Sequence, residues 1–225
     1  MLGIYSLQKF SSLDFPGRLC CILWFSGCNM RCPYCYNKEV VFGEKKIEEE
    51  EILEFLKKRK GLLDGVTFTG GEATLYKNLI PFSERIKELG FEIKLDTNGI
   101  NFEIIKEMVD GKLVDYIALD FKAPPEKFEK VTKNKHFDKY EKTLDYLIGG
   151  DVEFEVRTTV HTDLLDENDI NEIIKILHEK GYEGIYYLQN FFETDKETLG
   201  NIGPQKRKLD TSKILKLIPV EFRNF

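Results

Sequence analysis

The chain has 225 residues, of which 42% are hydrophobic, and a net charge of −6. That apolar content is enough for one substantial domain, and the negative charge disfavours binding to nucleic-acid backbones, which needs a basic face. No stretch is apolar for long enough to cross a bilayer, and Met1–Ser6 lacks the charged start and apolar run of a secretory signal. We therefore expect one cytoplasmic domain over 1–225 that binds neither nucleic acid nor membrane.

Strand and helix patterns alternate along the chain. Short β-branched and aromatic runs predict six strands, at 19–25, 66–69, 91–95, 116–120, 154–160 and 184–188. Amphipathic patterns predict helices at 49–59, 75–89, 103–109, 140–148, 167–180 and 211–217. Because six βα units fall short of the eight that close a full barrel, we expect an α/β fold with parallel strands, a laterally open partial (β/α)6 barrel. Functional groups in such folds gather at the carboxyl ends of the strands.

Three cysteines follow the first predicted strand, at Cys28, Cys32 and Cys35. Thiolates this close in sequence predict a single small inorganic centre. Four cysteines complete an iron–sulfur cluster of the electron-transfer kind, whereas three leave one iron open to an outside ligand. A structural zinc site with Cys21 as the fourth ligand is the alternative, and a disulfide framework is disfavoured by the odd total of five cysteines. We interpret Cys20 and Cys21 as small core residues of the strand.

The second and third predicted strands also end in residues suited to a site. Gly70 and Gly71 let the backbone approach a ligand closely, and the carboxylate of Glu72 suits a cationic amine. An ordinary glycine turn with a solvated Glu72 would have the same pattern. Asp96 and Asn98 end the third strand, where the alternative is a simple strand-to-helix turn.

The fourth and fifth predicted strands bring charged residues to the same edge. Asp120 and Lys122 lie two residues apart on an extended strand, so they point the same way and can neutralise each other. Arg157 lies among β-branched residues and is costly to bury without an anion. A ligand carboxylate, Glu72 or Asp96 would supply that anion. Structural pairing explains each residue singly, but their occurrence at successive strand ends favours a binding site.

The cysteine spacing is the signature of the radical S-adenosylmethionine enzymes. The chain resembles the activating enzymes of glycyl-radical enzymes, and most of all the activating protein of anaerobic ribonucleoside-triphosphate reductase. The stretches that carry the resemblance are 8–10, 14–17, the cysteine loop, 63–66, 70–72, 94–99, 114–125, 157–161 and 188–191. The resemblance therefore predicts a radical S-adenosylmethionine domain with its core at about 19–191, whereas 192–225 has little recognisable pattern and no assigned role.

The resemblance implies two cofactors and a set of residues that hold them. Cys28, Cys32 and Cys35 would ligate three irons of a 4Fe-4S cluster, whose open iron binds S-adenosylmethionine. Tyr34 would offer its backbone to the adenine, and Glu72 would hold the methionine amino group. The other cofactor-binding residues that it implies are Tyr36, Gly70, Gly71, Asp96, Asn98, Asp120, Lys122 and Arg157.

Two details of the resemblance are specific to this sequence. Tyr36 stands where relatives usually have histidine, and although both rings can pack near adenine, tyrosine cannot do the acid–base work of an imidazole. In the formate-lyase-activating relatives, acids matching Asp96 and Asp120 help to hold a monovalent cation. Such a cation is therefore a third candidate cofactor.

The activity that the resemblance implies is the reductive cleavage of S-adenosylmethionine to methionine and a 5′-deoxyadenosyl radical. The radical would remove a hydrogen from a glycine of a partner enzyme, with anaerobic ribonucleotide reductase as the favoured partner and a flavodoxin or ferredoxin as electron donor. Two alternatives remain: a radical enzyme that acts on a small molecule or another peptide, and a non-catalytic iron–sulfur or zinc-binding protein. The second alternative has no use for the pattern of Gly70, Gly71 and Glu72.

Overall fold

The computed structural model describes residues 1–193 and 197–225. Its strands are β1 (Ile4–Ser11), β2 (Cys20–Phe25), β3 (Gly65–Gly70), β4 (Glu92–Thr97), β5 (Tyr116–Asp120), β6 (Glu153–Val160), β7 (Tyr186–Asn190) and β8 (Val220–Arg223). Its helices are α1 (Lys38–Val41), α2 (Glu49–Lys57), α3 (Leu79–Glu88), α4 (Phe102–Asp110), α5 (Pro125–Thr132), α6 (Phe137–Ile148) and α7 (Glu167–Glu179). In this described part of the chain, no helix has the length and apolar character needed to cross a membrane.

The strands form an eight-stranded sheet in the order of the chain, from β1 to β8. β1 is antiparallel to β2, whereas β2, β3 and β4 pair in parallel, as do β6, β7 and β8. Helices connect β2 to β3, β3 to β4 and β6 to β7, which is the arrangement that a βα succession requires. The predicted α/β class and all six predicted strands are confirmed, and β1 and β8 are additional.

The chain divides into two compact units, each of which is built from several segments. The first comprises 1–29, 39–97 and 101–118, and the second comprises 30–38, 98–100 and 119–225. The prediction of one domain over 1–225, with its core at about 19–191, stays a prediction. Within the predicted C-terminal segment 192–225, residues 194–196 lie outside the described residues.

The core of the first unit lies between its parallel strands and its helices. Most residues of β2 are buried, as expected for a central parallel strand that is covered on both faces. Cys20 and Cys21 are fully buried, which confirms their interpretation as core residues. Helix α2 begins with a capping box formed by Glu48 and Glu51, and it buries Ile52 completely.

The core of the second unit is rich in aromatic rings. Phe121, at the end of β5, packs against Tyr140 of α6 with 4.7 Å between ring centroids. Phe128 and Phe137 extend this cluster from α5 and from the start of α6. Helix α7 begins at Asp166, whose carboxylate accepts hydrogen bonds from the first-turn amides, and the helix buries its apolar face.

Several helix predictions differ from the structure, and helices α1 and α5 are additional. The predicted helix 75–89 begins only at Leu79, because Ala73–Leu75 forms a separate 3-10 turn. The predicted helix 211–217 is wrong: Thr211–Lys213 is a single 3-10 turn, after which the amide of Leu215 donates to the side chain of Asn171 instead of to a helical carbonyl. Helix α5 was not predicted, although a proline at its first position is compatible with a helix start.

Candidate functional site

The cysteine loop leaves β2 after Phe25 and contributes to both units. Cys28 belongs to the first unit, and Cys32 and Cys35 belong to the second. Cys32 is only 6% exposed, whereas Cys28 and Cys35 are half-buried. The amide of Cys35 donates to the carbonyl of Cys32 at 3.0 Å, so these two cysteines lie on one tight turn.

In the first unit, the loop after β3 lies directly against the start of the cysteine loop. The amide of Gly71 donates to the carbonyl of Phe25, and the amide of Glu72 donates to the carbonyl of Gly27, both at 2.8 Å. A Cβ atom added to Gly71 would lie 1.9 Å from the Gly27 oxygen, and Gly70 has a φ of +117°. Glycine is therefore required at both positions by the close approach of the two loops.

Glu72 is buried, and neighbouring hydroxyl groups orient its carboxylate. Its Oε1 atom accepts hydrogen bonds from the Thr74 hydroxyl at 2.6 Å and from the Thr97 hydroxyl at 2.8 Å. This geometry excludes the interpretation of Glu72 as a solvated turn residue. Sequence reasoning missed both threonines, although Thr97 ends β4 beside the predicted site residue Asp96.

Asp96, in the first unit, also has protein partners. It forms an ion pair with Lys94, which is 3% exposed, and accepts a hydrogen bond from the Thr69 hydroxyl at 3.1 Å. Lys94 and Asp96 lie two residues apart on β4, so the alternation of the strand puts both side chains on one face. A cation that binds Asp96 would therefore compete with Lys94.

Asn98 forms the turn that follows β4. Its side chain is buried, and its Oδ1 atom accepts the amide of Ile100 at 3.2 Å. The next residue, Gly99, has a φ of +77°, and an added Cβ would lie within 3 Å of Leu119 and Tyr140. The turn interpretation of this stretch is confirmed, and a contact between Asn98 and a cofactor stays a prediction.

In the second unit, Asp120 connects two cationic side chains. Its carboxylate accepts from Lys122 at 2.9 Å and from Nε of Arg157 at 2.7 Å. Burial raises the pKa of Asp120, but Arg157 and Lys122 outweigh that effect and lower the pKa to about 2. The expected neutralisation of Asp120 by Lys122 is confirmed, and Asp120 supplies the anion that Arg157 needs.

Lys122 also influences Cys32 and Tyr34. Burial raises the pKa of the Cys32 thiol, and the positive charge of Lys122 opposes this increase. Burial, followed by the proximity of Cys32, raises the pKa of the Tyr34 hydroxyl well above its ordinary value. Apart from the Cys32 thiol, this hydroxyl has no hydrogen-bond partner among the described residues, which is unusual for a buried polar group.

The remaining aromatic candidates lie near the end of β7, also in the second unit. The ring of Tyr36 stacks on Phe191 with 5.1 Å between centroids. His161 is fully buried and contacts the Gly203 carbonyl through Nε2 at 3.0 Å. His161 is therefore a structural residue of the second unit.

The chemistry of the cysteine loop fits an iron–sulfur cluster. All five cysteines are thiols in the structure, and Cys28, Cys32 and Cys35 supply the sulfur ligands that such clusters require. Within 1–193 and 197–225, no three Cys, His, Asp or Glu side chains are grouped as a preformed metal cage. The positive charge of Lys122 opposes the effect of burial on Cys32, so it favours the thiolate form that a metal needs.

Comparison with known proteins identifies the family. Residues 22–179 match the Radical SAM superfamily. A provisionally assigned glycyl-radical enzyme activating enzyme of Methanocaldococcus jannaschii is 33% identical over 202 residues, covering 85% of this chain and 81% of the relative. The pyruvate formate-lyase-activating enzyme of Clostridium pasteurianum is 34% identical over 126 residues, covering 53% of this chain and 52% of the relative.

A solved structure has a fold similar to that of this chain. Streptococcus suis SuiB bound to S-adenosylmethionine superimposes with a TM-score of 0.66 at 14% identity, covering 88% of this chain and 48% of SuiB. The likeness confirms the predicted fold class. This chain thus spans about half the length of SuiB and of the Clostridium relative.

The chain belongs to the radical S-adenosylmethionine superfamily, whose members use a 4Fe-4S cluster and S-adenosylmethionine. Within that superfamily, it is a glycyl-radical enzyme activating enzyme, as the match along most of its length shows.

Proposed function

We propose that this protein cleaves S-adenosylmethionine reductively and generates a glycyl radical on anaerobic ribonucleoside-triphosphate reductase. The observation that carries the proposal is the contact between the cysteine loop and the loop after β3. Main-chain hydrogen bonds fix Glu72 against Gly27, which immediately precedes Cys28, and two threonines orient the Glu72 carboxylate. A purely metal-binding loop would not require this arrangement.

Cys28, Cys32 and Cys35 would hold three irons of the cluster, and the fourth iron would bind S-adenosylmethionine. When bound, the cluster and S-adenosylmethionine supply one-electron cleavage of a carbon–sulfur bond, which gives methionine and a 5′-deoxyadenosyl radical. A glycine α-carbon of the partner would give up the hydrogen atom, which would leave 5′-deoxyadenosine and the glycyl radical. A flavodoxin or ferredoxin is the proposed source of the electron.

The residues of the first unit would bind the methionine end of S-adenosylmethionine. Gly70 and Gly71 leave the backbone uncovered at the point of closest approach, and Glu72 offers a carboxylate to the ammonium group. Because Thr74 and Thr97 donate to Oε1 of Glu72, the carboxylate is held in one orientation before the ligand arrives. Such preorganisation reduces the entropy lost on binding.

The residues of the second unit would bind charged and polar groups of the cofactor. Asp120 stays ionised at neutral pH, since Arg157 and Lys122 lower its pKa to about 2. The Asp120, Lys122 and Arg157 side chains together carry one net positive charge, which suits a ligand carboxylate. Tyr34 would contact the adenine through its backbone, beside Tyr36, and Asn98 would contribute a further polar contact.

A monovalent cation at Asp96 or Asp120 stays a prediction. Both carboxylates already have cationic partners, because Asp96 pairs with Lys94, and Asp120 pairs with Lys122 and Arg157. A cation would bind only where the ligand carboxylate displaces one of these amines or guanidinium groups. Dependence of S-adenosylmethionine cleavage on sodium or potassium would support the cation, and an activity indifferent to both would contradict it.

The identity of the partner is the most specific part of the proposal. The resemblance in 8–10, 14–17, 63–66, 70–72 and 114–125 supports the reductase, and the named relatives support a glycyl-radical enzyme in general. The test is to incubate the reconstituted, reduced protein with S-adenosylmethionine and the purified reductase under anaerobic conditions. A glycine-centred radical signal in the electron paramagnetic resonance spectrum is expected, and its loss when the radical glycine of the partner is replaced by alanine is the control.

The same experiment separates the alternatives. Formation of 5′-deoxyadenosine without a glycyl radical on the reductase would mean that the protein acts on another substrate. An intact, reduced cluster without 5′-deoxyadenosine would mean that the protein binds metal but is not catalytic.

A further inference from the structure

We propose that residues after β7 position the cysteine loop, with Gly200 and Tyr36 as the decisive positioning residues. This inference rests on the proposed function, because the loop is taken to hold the cluster. The supporting segment is defined as Phe191, Phe192 and 197–200, all of which lie in the second unit together with Cys32 and Cys35. It assigns a role to part of the C-terminal segment that the sequence left without one.

The first link between the supporting segment and the loop is made by the main chain. The amide of Leu199 donates to the carbonyl of Cys35, and the amide of Gly200 donates to the carbonyl of Pro33, both at 2.9 Å. Two successive amides thus bind carbonyls two residues apart in the cysteine loop. The backbone orientation of Cys35 is therefore set by contacts from outside the loop.

Gly200 is required by the closeness of this contact. A Cβ atom added to Gly200 would lie 2.6 Å from Cβ and 2.7 Å from Cα of Pro33, closer than real atoms approach. Because the atoms it would meet belong to a proline ring and to the backbone, they cannot move aside independently. A methyl group at this position must push the supporting segment away from the loop.

The second link is made by Tyr36, directly after Cys35. Its hydroxyl oxygen accepts the amide of Phe192 at 2.6 Å and donates to the carbonyl of the same residue at 2.7 Å. Its ring stacks on Phe191 at an interplanar angle of 12°. A hydroxyl can donate and accept at one atom, whereas an imidazole nitrogen can do only one of these in a given state. This difference accounts for tyrosine at a position where relatives usually have histidine.

A third contact, between Lys38 and Glu197, contributes little to this positioning. The two charges lie 2.9 Å apart, but their side chains are 40% and 76% exposed. Exposed ion pairs are weak because water and salt screen them. The pair therefore provides a matched negative control within the same segment.

The test compares full-length wild-type protein with Gly200→Ala and Tyr36→Phe, and uses Gly203→Ala and Glu197→Gln as controls. A Cβ atom added to Gly203 would have no atom within 4 Å. Gly203→Ala is therefore the same change from glycine to alanine without a steric clash. After anaerobic reconstitution, four quantities are measured for each protein: iron and sulfide content, the rate of iron loss to a chelator, the spectrum of the reduced cluster with and without S-adenosylmethionine, and the melting temperature of the apoprotein.

We expect iron loss to be about tenfold faster in Gly200→Ala and about threefold faster in Tyr36→Phe. These changes lie at or below the low end of the losses in metal affinity that follow mutation of groups that orient metal ligands. The spectrum of the reduced cluster should change in both variants, while both controls match the wild type. Tyr36→His should behave like Tyr36→Phe, since neither restores both hydrogen bonds.

Equal iron-loss rates and spectra in Tyr36→Phe and the wild type would overturn the inference, and Tyr36→Phe decides the matter if Gly200→Ala fails to fold. A lower melting temperature in Tyr36→Phe with unchanged cluster properties would also overturn it, because the contact would then serve only the fold. A wild-type protein that assembles no cluster would instead refute the proposed function on which the inference rests.

Discussion

The predicted site residues of the first unit and those of the second unit are held by different means. In the first unit, main-chain hydrogen bonds fix the loop at Gly71 against Gly27, and there is no room for even one methyl group. In the second unit, the side chains are held by ion pairs, which Asp120 forms with both Lys122 and Arg157. A contact made by the backbone should fail abruptly on substitution, whereas a contact made by charges should weaken in steps and depend on pH.

The largest effect is expected at the cysteines, because neither main-chain contacts nor ion pairs can replace a missing thiolate ligand. Cys32→Ala removes a buried thiol of the loop, so the variant should hold no cluster and form no 5′-deoxyadenosine. Cys21→Ala changes a core residue of β2 and should retain both properties at a cost of about 1 kcal/mol in unfolding free energy. Iron analysis and product assays measure the difference, and loss of the cluster in Cys21→Ala would instead indicate a site with four cysteines.

The next effect tests the backbone-supported region. Gly71→Ala would put a methyl group 1.9 Å from the Gly27 oxygen. Overpacking of this kind costs about 1–3 kcal/mol, and we expect cleavage of S-adenosylmethionine to fall at least about tenfold because Glu72 moves with the loop. Gly203→Ala, at an open position, should leave both stability and activity unchanged. An active and stable Gly71→Ala protein would show that the two loops are not held as the structure indicates.

The charge-supported region should respond less sharply. Lys122→Met leaves Asp120 with Arg157 alone, and because both members of the lost pair retain some exposure, we expect a loss of about 2 kcal/mol, below the range for fully buried pairs. Lys57→Met breaks an exposed pair with Glu54 and should lower the stability much less, because water and salt screen exposed pairs. Urea unfolding of both variants checks the contrast. Similar losses would mean that the network around Asp120 has no special role in stability.

The last effect is confined to acid pH and distinguishes the two regions directly. The folded protein lowers the pKa of Asp120 from 3.8 to about 2, so its contribution to stability is complete above the unfolded value and is lost as the pH falls from 3.8 towards 2. We expect a contribution of about 2 kcal/mol, at 1.36 kcal/mol for each pKa unit. The pKa of Glu167 is also about 2, owing first to Arg207, so it adds to the same window.

Unfolding measured between pH 2 and pH 5 tests this linkage. The stability difference between the wild type and Asp120→Asn should shrink as the pH falls through that window, because the wild-type carboxylate becomes protonated. Glu167→Gln, at a surface pair outside the proposed site, is the matched control and should leave the contribution of Asp120 in place. A difference between the wild type and Asp120→Asn that is independent of pH would contradict the ionised network.

The sequence predicted the parts of the fold that repeat, and missed the parts that depend on distant contacts. The strands from 19–25 to 184–188 are signalled by local apolar runs, and all are present. β1 has three consecutive exposed residues, Gln8, Lys9 and Phe10, and β8 has only four residues, so neither has a strong local signal. The helix predicted at 211–217 fails because Asn171, far away in the sequence, binds the amide of Leu215.

For the site, the sequence predicted residue types better than partners. The pairing of Asp120 with Lys122 follows from strand alternation. The pairing of Arg157 with Asp120 joins two different strands, so it can be recognised only in the folded structure. The contacts of Tyr36 with Phe191 and Phe192 join residues more than 150 positions apart, which no local pattern can reveal. Glu72 was expected to bind an amine, but its orientation by Thr97 was not visible in the sequence.

The central claim is that the cysteine loop and the loop at Gly71 and Glu72 serve the reductive cleavage of S-adenosylmethionine. The most direct measurement is the amount of 5′-deoxyadenosine formed when the anaerobically reconstituted protein is reduced in the presence of S-adenosylmethionine. The account predicts 5′-deoxyadenosine and methionine in equal amounts, only with reductant, and none from Cys32→Ala. A wild-type protein with an intact, reduced cluster that forms no 5′-deoxyadenosine would contradict it.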